Sequence, residues 1–167
     1  MAPTPPANPP FRIGLGYDVH PFAEGRALWL GGIEVPHPKG LAGHSDADVL
    51  LHAICDAILG AAGLPDIGHY FPNSDPQWRG ADSKRLLAQS YAAAQAEGYS
   101  LGNLDCTLIA EAPKISPHLL AMKTAIAGVL GCSTGQVGIK ATTNERMGFV
   151  GREEGIAAMA VALLVAQ

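Results

Sequence analysis

Strand-like and helix-like patterns of hydrophobic residues alternate along the chain from Phe11 onward, and no internal repeat is present. Short stretches rich in apolar residues predict strands in FRIGLGY, LDCTLIAEA and GQVGIKATT. The segment ALWLGGIEVP is typical of a hairpin that turns at Gly31 and Gly32. Helical segments are expected between these strands.

Apolar residues at helical spacing predict three helices. The first should begin at Ser45, because Ser45 and Asp48 resemble a capping box, and Pro65 should prevent its continuation. The third should begin with Ser116 as its cap and Pro117 at its first helical position. The helices are expected over residues 45 to about 60–63, 82–97 and 116–131.

Two segments are less regular. LPDIGHYFPNSDPQWRGA, after the first helix, is a long loop rich in Gly, Pro, Asp and Asn, and such loops are often functional. The last segment, GIAAMAVALLVAQ, is ambiguous, because its alanines favour a helix whereas Ile156, Val161 and Val165 permit a buried strand. It is too short to span a bilayer.

Length and composition predict one domain over residues 11–167, after a disordered Pro-rich tail at residues 1–10. The tail lacks the features of a signal peptide, so we expect a cytoplasmic protein with no membrane partner. A net charge of −4 argues against a nucleic-acid partner, and a charged fraction of only 16% suggests surface buried against other copies of the chain. Cys55, Cys106 and Cys132 are expected to be buried thiols in a reducing compartment.

A candidate metal site begins with Asp18 and His20 in GLGYDVHPF. Residues i and i+2 of an extended segment point the same way, so both side chains can bind one ion. His52, on the first predicted helix, would complete a ligand set suited to zinc, with one position left open for catalysis. The alternative is that no metal binds, because an isolated Asp-x-His is common and neither HExxH nor paired CxxC is present.

Polar residues in and before the first predicted helix extend this interpretation. Asp48, His52 and Asp56 lie at i, i+4 and i+8, so Asp48 or Asp56 could orient the second ring nitrogen of His52. The alternative is a solvated polar helix face. His44 and Ser45 lie where the N–H groups of the predicted helix start are exposed, so both are candidate anion contacts.

The segment KATTNERMGFVGR is a candidate phosphate site. Thr142 and Thr143, with nearby backbone N–H groups, could bind phosphate oxygens, and Glu145 could hold a second cation such as magnesium. Lys114 follows the end of a predicted strand and could add a positive charge. One alternative is that the two threonines only favour a strand. Another is that Arg152 only pairs with a neighbouring glutamate, Glu153 or Glu154.

From Arg12 to the C-terminus the chain closely resembles the 2-C-methyl-D-erythritol 2,4-cyclodiphosphate synthase family of the non-mevalonate isoprenoid pathway. The resemblance is carried by RIGLGYDVHPF, GLAGHSDADVLLHAICDAILGAAGLPDIGHYFP, GADS, GYSLGNLDCTLIAEAPKISPH and IKATTNERMGFVGREEGIA. Their order and spacing span nearly the whole domain, so the set is far more specific than any one segment. One departure is Asn73 in FPNSDP, where the family commonly has FPDTDP.

The resemblance implies roles for individual residues. Asp18, His20 and His52 match zinc ligands, Glu145 matches a ligand of a second divalent cation, and His44 and Thr143 match residues that stabilise the transition state. Matches to contacts at the methylerythritol and phosphate end are Asp18, His20, His44, Ser45, Asp66, Ile67, Gly68, Phe71, Pro72, Asn73, Ser74 and Asp75. Matches on the cytidine-diphosphate side are Ala110, Pro113, Lys114, Ile115, Ser116, Ala141, Thr142, Thr143 and Glu145, and a patch near a trimer axis is matched by Phe149 and Arg152.

The implied reaction is that of a phosphorus–oxygen lyase. In 4-diphosphocytidyl-2-C-methyl-D-erythritol 2-phosphate, the 2-phosphate attacks the β-phosphorus, which gives 2-C-methyl-D-erythritol 2,4-cyclodiphosphate and CMP. No protein nucleophile is needed, so catalysis should rest on positioning and charge neutralisation. The implied cofactors are Zn²⁺ or another divalent transition metal at the Asp18, His20 and His52 site, and Mg²⁺ or Mn²⁺ bound with the substrate diphosphate.

The implied fold is α+β, a compact ferredoxin-like domain with a mixed sheet and helices on one face. The implied assembly is a homotrimer around a central apolar cavity, with active sites between subunits and an isoprenoid phosphate as a candidate cavity ligand. On this basis the last segment is expected to be a strand. Two alternatives stay open: a metal-dependent phosphohydrolase, and a non-catalytic trimer that binds metal or an isoprenoid.

Overall fold

The first strand, β1, is longer than predicted and runs straight through Asp18 and His20. The computed structural model describes residues 10–167, so nearly all of the predicted tail at residues 1–10 lies outside the described residues. The elements, in chain order, are β1 (Phe11–Ala23), β2 (Leu28–Leu30), β3 (Ile33–Val35), β4 (Gly40–Leu41), α1 (Val49–Ala62), α2 (Ile67–Tyr70), α3 (Ser83–Ala96), β5 (Tyr99–Ile109), α4 (Leu119–Leu130), β6 (Val137–Thr142), α5 (Gly148–Gly151) and β7 (Gly155–Ala166). Short 3-10 helices lie at Pro76–Trp78, Ser116–His118 and Thr134–Gln136.

Five of the strands form one mixed sheet in the order β4-β1-β7-β5-β6, and β2 and β3 form the predicted hairpin. Strand β7 is antiparallel to both β1 and β5, whereas β5 and β6 are parallel. The α+β class with a mixed sheet is therefore confirmed. The ferredoxin-like prediction is right for the split β1-α1-β5 unit but wrong for the order of elements, because α4 joins adjacent parallel strands and gives β-α-β-α-β-β.

The ambiguous last segment is a strand, as the family resemblance implied. Its alanines are explained by helix packing, because the side chains of Ala158, Ala160 and Ala162 are fully or almost fully buried on the sheet face that α1 covers. Strand β1 meets α1 more closely still. A Cβ atom at Gly16 would lie 1.9 Å from the carbonyl oxygen of Ala53, and one at Gly14 would lie 2.0 Å from that of Ala57.

The two faces of β1 differ in what they contact. Gly14, Gly16, Asp18 and His20 share the face under α1, whereas the alternate side chains point away from the helices. These outward side chains form a stripe of large apolar residues that are 40–63% exposed: Phe11, Ile13, Leu15, Tyr17 and Val19. Met159, Val161 and Val165 extend the stripe onto β7. We call these eight residues the outer apolar face.

Helix α1 begins at Val49, four residues later than predicted. Ser45 does not cap it, because the Ser45 hydroxyl accepts the N–H of Ala47, which has a left-handed backbone with φ of 60°. Asp48 is the cap and accepts the N–H groups of Leu50 and Leu51. The predicted end is confirmed, since Gly63 has a positive φ and closes the helix.

The other two predicted helices are present with smaller differences. Helix α3 begins after its cap Asp82 and ends at Ala96, as predicted. Ser116 and Pro117 form a 3-10 turn, and α4 begins only at Leu119 without a side-chain cap. Within residues 10–167, no helix is long and apolar enough to cross a membrane. Cys55 and Cys106 are buried, Cys132 is partly exposed, and all three are free thiols.

Candidate functional site

Asp18, His20 and His52 meet at one point between β1 and α1. Oδ2 of Asp18 lies 2.9 Å from Nε2 of His20 and 3.1 Å from Nδ1 of His52. The two ring nitrogens are themselves 3.1 Å apart. This nearly equilateral triangle of one oxygen and two nitrogens confirms that the three side chains can converge. The Asp-x-His spacing predicted the pairing of the first two, and His52 was expected to join them from the first helix.

Charge in this cluster is balanced between the carboxylate and the rings. Burial alone would raise the pKa of Asp18, but hydrogen bonds and charge interactions with His20 and His52 outweigh it and hold the pKa well below its usual value. Burial works against the charged form of His20, yet the hydrogen bond with Asp18 raises the pKa of that ring above its usual value. The carboxylate is therefore ionised, and a metal would bind here in place of the protons that the rings share with it.

The geometry of the triangle fits a divalent transition metal. Ligand atoms about 2.1 Å from a tetrahedral zinc ion lie roughly 3.4 Å from one another, close to the separations in this cluster. Nδ1–H of His20 donates to the carbonyl oxygen of Ala42 at 2.7 Å, which leaves the lone pair of Nε2 facing the other two ligands. Among residues 10–167, this is the one group of three His, Cys, Asp or Glu side chains whose ligand atoms converge in this way. Three protein ligands leave a fourth position for water or substrate.

The side chains that contact the second ring nitrogen of His52 are not those of the two aspartates predicted for that role. Asp48 is fully buried and accepts the N–H groups of Gly31 and Gly32 as well as those of its own helix, so it anchors the hairpin to α1. Asp56 accepts the N–H of Ile67 at 2.8 Å. One of the two was expected to orient the ring of His52, but neither does: both accept backbone N–H groups, and Nε2 of His52 faces other side chains.

Two serines contact the second ring nitrogen of His52 instead. Oγ of Ser83, the first residue of α3, lies 3.0 Å from Nε2 of His52, and Oγ of Ser45 lies 3.1 Å from it. Both serines are buried. Ser45 was predicted as an anion contact at a helix start, but α1 begins at Val49, so that physical reason does not apply to Ser45 or His44.

A cavity of about 230 Å³ opens onto the three ligands. Besides the ligand His52, it collects most of the residues matched to the methylerythritol and phosphate end: Asp18, His20, His44, Ser45, Ile67, Gly68, Phe71 and Asn73. The remaining matched residues lie on the same loop but do not line this cavity: Asp66, Pro72, Ser74 and Asp75. Of these, Asp66 and Asp75 cap the short helices that begin at Ile67 and Pro76.

His44 lies between this cavity and a second opening that is lined by Arg26 and Arg79. Its Nε2 atom is buried and has no hydrogen-bond partner among residues 10–167. The guanidinium group of Arg26 donates to the carbonyl oxygens of Gly43 and Ser45, and the N–H of Gly80 donates to that of His44. The backbone around His44 is thus held on both sides, while one ring nitrogen is free to contact a ligand.

A separate cavity lies at the carboxyl ends of the parallel strands β5 and β6. Together with Glu111, it collects all the residues matched to the cytidine-diphosphate side except Glu145: Ala110, Pro113, Lys114, Ile115, Ser116, Ala141, Thr142 and Thr143. Oε1 of Glu111 accepts the N–H groups of Asn144 and Arg146, each at 3.0 Å. Glu111 thereby holds the turn after Thr143, where Glu145 and Arg146 have positive φ values.

Three further matched residues lie outside both cavities. Glu145 is exposed, and its Oε1 accepts a long hydrogen bond of 3.4 Å from the hydroxyl of Thr143. Arg152 pairs with Glu154, one of the two partners that the sequence left open, and the pairing raises the pKa of Arg152 and lowers that of Glu154. Phe149 belongs to the short helix α5.

The two cavities lie at the same end of the sheet but on different strands. Across the sheet, Val19, Ala157, Ile109 and Thr142 form one row on β1, β7, β5 and β6. Three strand spacings separate Val19 from Thr142, or about 14 Å. Within the part of the chain that the structure describes, the lining residues of the two cavities do not overlap.

Several residues at these sites were not singled out from the sequence. They are Arg26, Gly43, Asp46, Trp78, Arg79, Ser83, Leu86 and Glu111. Gly43, Asp46, Ser83 and Glu111 lie in segments that carry the family resemblance, and Trp78 and Arg79 lie in the long loop after the first helix. The contacts of these residues join segments far apart in the chain, and no local pattern predicts them.

Comparison with known proteins agrees with this geometry. The model of the YgbB family matches residues 11–165. A 2-C-methyl-D-erythritol 2,4-cyclodiphosphate synthase of Porphyromonas gingivalis is 57% identical over 157 residues, which cover 94% of this chain and 97% of that protein. The synthase of the same name from Synechococcus elongatus is 61% identical over 155 residues, 93% of this chain and 97% of that protein.

Solved structures give the same result for the fold. The structure of Plasmodium falciparum IspF in complex with CDP superposes with a TM-score of 0.84 at 33% identity and covers 96% of this chain and 99% of that one. A family match over nearly the whole chain and relatives this similar establish membership. The chain therefore belongs to the YgbB family.

Proposed function

We propose that the chain converts 4-diphosphocytidyl-2-C-methyl-D-erythritol 2-phosphate to 2-C-methyl-D-erythritol 2,4-cyclodiphosphate and CMP, in isoprenoid precursor biosynthesis. The observation that carries the proposal is the convergence of Asp18, His20 and His52 at a cavity whose other walls hold hydrogen-bonding groups. The names of the Porphyromonas and Synechococcus relatives support the same reaction. The CDP complex of the Plasmodium protein supports a cytidine-diphosphate substrate.

In this proposal Asp18, His20 and His52 hold Zn²⁺ or another divalent transition metal, which when bound neutralises charge on the reacting phosphates. The substrate supplies its own nucleophile, the 2-phosphate, and CMP leaves as the new P–O bond forms. The protein therefore positions the two phosphates and stabilises the charge that develops between them.

Individual roles follow from where the side chains lie. His44, whose Nε2 has no protein partner among the described residues, and the hydroxyl of Thr143 are proposed to donate hydrogen bonds to the reacting phosphates. The loop from Asp66 to Asp75 and Ser45 are proposed to bind the methylerythritol end, and residues 110–116 and 141–143 to bind the cytidine-diphosphate end. Glu145 is exposed and offers a single carboxylate. It is proposed as one ligand of an Mg²⁺ or Mn²⁺ ion whose other ligands are mainly substrate phosphates.

We further propose a homotrimer in which neighbouring subunits share each active site. The outer apolar face is a set of neighbouring large apolar side chains that are exposed in one chain, and exposed patches of this kind mark interaction surfaces. The separation of the two cavities on one chain supports a site made from the metal cavity of one subunit and the Thr143 cavity of the next. The proposal has further parts. A central cavity binds an isoprenoid phosphate, Phe149 and Arg152 lie near the trimer axis, and the protein is cytoplasmic.

The test is product analysis with the purified protein, the cytidyl substrate and magnesium. Phosphorus NMR should show the two coupled resonances of a cyclic diphosphate together with CMP, and no inorganic phosphate. Removal of the metal with a chelator should abolish turnover, and zinc should restore it. Inorganic phosphate or new monophosphates would instead indicate a phosphohydrolase, and a folded, zinc-loaded trimer without turnover would indicate a non-catalytic binding protein.

A further inference from the structure

The strongest unassigned feature is a chain of polar side chains behind His52, on the side away from Asp18. Nδ1 of His52 faces the carboxylate of Asp18, so its Nε2 atom points in the opposite direction within the ring plane. There it meets Oγ of Ser83 at 3.0 Å. Ser83 is fully buried and begins α3, so this contact joins the helix that carries the ligand to a helix far along the chain.

Asp46 completes the chain on the other side of Ser83. The hydroxyl of Ser83 donates a short hydrogen bond to Oδ1 of Asp46, and the backbone N–H of Ser83 donates to Oδ2 at 2.9 Å. The N–H of Asp48 also donates to Oδ1, at 3.1 Å. Asp46 is therefore fixed in place by three hydrogen bonds from its neighbours.

The direction of these hydrogen bonds follows from the chemistry of the groups. An ionised carboxylate can only accept, so the single hydroxyl proton of Ser83 is used toward Asp46. Oγ of Ser83 then faces Nε2 of His52 as an acceptor, and Nε2 must carry the proton. When a metal replaces the proton shared between Nδ1 and Asp18, the lone pair of Nδ1 is available to the ion on the side where Asp18 and His20 lie.

We propose that Ser83, held by Asp46, is a positioning residue that fixes the tautomer and orientation of His52 for metal binding. It parallels the carbonyl of Ala42, which does the same for His20 through Nδ1. Metal-bound histidines usually donate their second ring N–H to a carboxylate or carbonyl, and loss of such a partner typically lowers metal affinity 10–100-fold. The inference rests on the proposed metal site at Asp18, His20 and His52.

Ser90 provides a matched control for Ser83. It lies seven residues further along α3, is equally buried, and its hydroxyl makes no hydrogen bond to a group of the metal site. Ser83→Ala and Ser90→Ala therefore remove the same atom from the same helix, and only the first removes a contact to His52. Ser45 stays near Nε2 at 3.1 Å in both variants, so the expected loss lies near the lower end of the range.

The experiment is a zinc titration of metal-free protein against a chromophoric chelator, without substrate. Ser83→Ala should bind zinc about tenfold more weakly than the wild type, and Ser90→Ala should stay within about twofold. Equal zinc affinity in Ser83→Ala and wild type, or an equal loss in both variants, would overturn the proposal. Turnover is measured separately, so a protein that binds zinc as expected but forms no cyclic product would contradict the proposed function alone.

A second measurement needs no variant and covers the case in which Ser83→Ala does not fold. In zinc-loaded wild-type protein labelled with ¹⁵N-histidine, the Nε2–H of His52 should be protected from solvent exchange and visible in the spectrum. Couplings of its ¹⁵N nucleus to both ring C–H protons distinguish it from the Nδ1–H of His20, which donates to Ala42, and the signal should be missing in His52→Ala. The proposal would be overturned if no protected histidine ring proton of the wild type disappeared in His52→Ala. The Nε2–H of His52 would then exchange rapidly with solvent, which would show that no buried acceptor holds the ring.

Discussion

Oδ2 of Asp18 lies 3.1 Å from Nδ1 of His52, although 34 residues separate the two in sequence. The contact exists because β1 has glycines at positions 14 and 16, which let α1 lie directly on the strand. A side chain at either glycine would collide with the backbone of α1. The same close approach that packs the domain therefore brings the third candidate ligand to the first two.

The first prediction concerns metal content. His52→Ala should strip most of the zinc from the protein while the fold is kept, because two ligands bind far more weakly than three. Zinc is measured by atomic absorption after gel filtration, and folding by circular dichroism. His118→Ala is the control, since His118 lies in the 3-10 turn before α4 and outside the ligand cluster. Undiminished zinc in folded His52→Ala protein would contradict the ligand assignment.

Asn73 is the position where the chain departs from the usual family segment, and its exposed side chain lines the cavity beside the metal ligands. It offers hydrogen bonds without charge. We expect Asn73→Asp to be tolerated and Asn73→Ala to weaken substrate binding by about 1 kcal/mol, the value of one lost hydrogen bond. The Michaelis constant measures this effect, and an unchanged value in the Ala variant would show that the side chain is not used.

The sequence predicted the parts of this site that depend on local spacing. Asp18 and His20 were paired correctly because side chains two apart in a strand share a face. Asp48 was assigned wrongly for a related reason. Spacing of four residues places it on the same side of the helix as His52, but its position at the helix start commits its carboxylate to N–H groups there and in the hairpin.

Other features depended on tertiary packing and could not be read from local pattern. The alanines of β7 suggested a helix, yet they are small because α1 packs against them. The contact between Ser83 and His52 exists only because α3 packs beside α1. Neither the strand register nor this helix pairing leaves a periodic signal in the sequence.

Glu111 is predicted to act on the Thr143 side without affecting the metal. Its carboxylate accepts two backbone N–H groups that fix the turn after Thr143. Glu111→Ala should lower kcat about tenfold or more, because charge-assisted hydrogen bonds contribute roughly 1.5–3 kcal/mol each and the turn contains two residues with left-handed backbone. Glu111→Gln keeps an acceptor oxygen and should retain most activity.

Zinc content separates this role from a general loss of structure. It should be unchanged in both Glu111 variants, since the metal cavity shares no lining residue with the Thr143 cavity in the described part of the chain. A Glu111→Ala protein with wild-type kcat would show that the turn holds its shape without these two hydrogen bonds.

Thiol reactivity tests the packing of α1 and β5. Burial raises the pKa of Cys55 to about 12 and that of Cys106 to about 12, so at pH 8 the thiolate fraction of each is on the order of 10⁻⁴. Cys132, at the end of α4, is partly exposed. Ellman's reagent should therefore modify one thiol per chain between pH 7 and 8 in native protein and three after denaturation. Cys132→Ser should abolish the native reaction, and two or three fast thiols would contradict the packing.

The central claim is that the metal cavity of one subunit and the Thr143 cavity of its neighbour form one active site. It rests on two separate cavities whose strands are three spacings apart in a single chain. His52→Ala removes the metal half, and Thr143→Ala removes a donor whose loss typically costs on the order of a hundredfold. Each homotrimer should therefore be nearly inactive.

The most direct measurement is the activity of mixed trimers made by unfolding and co-refolding the two variants in equal amounts. A complete site forms wherever the intact ligands of a Thr143→Ala chain meet the intact Thr143 of a His52→Ala chain, which is about a quarter of all interfaces under random mixing. Native mass spectrometry identifies the trimers that contain both chains. Each of these trimers has one complete site out of three, so we expect it to recover roughly a third of wild-type turnover. Mixed trimers no more active than their parents would contradict a site shared between subunits.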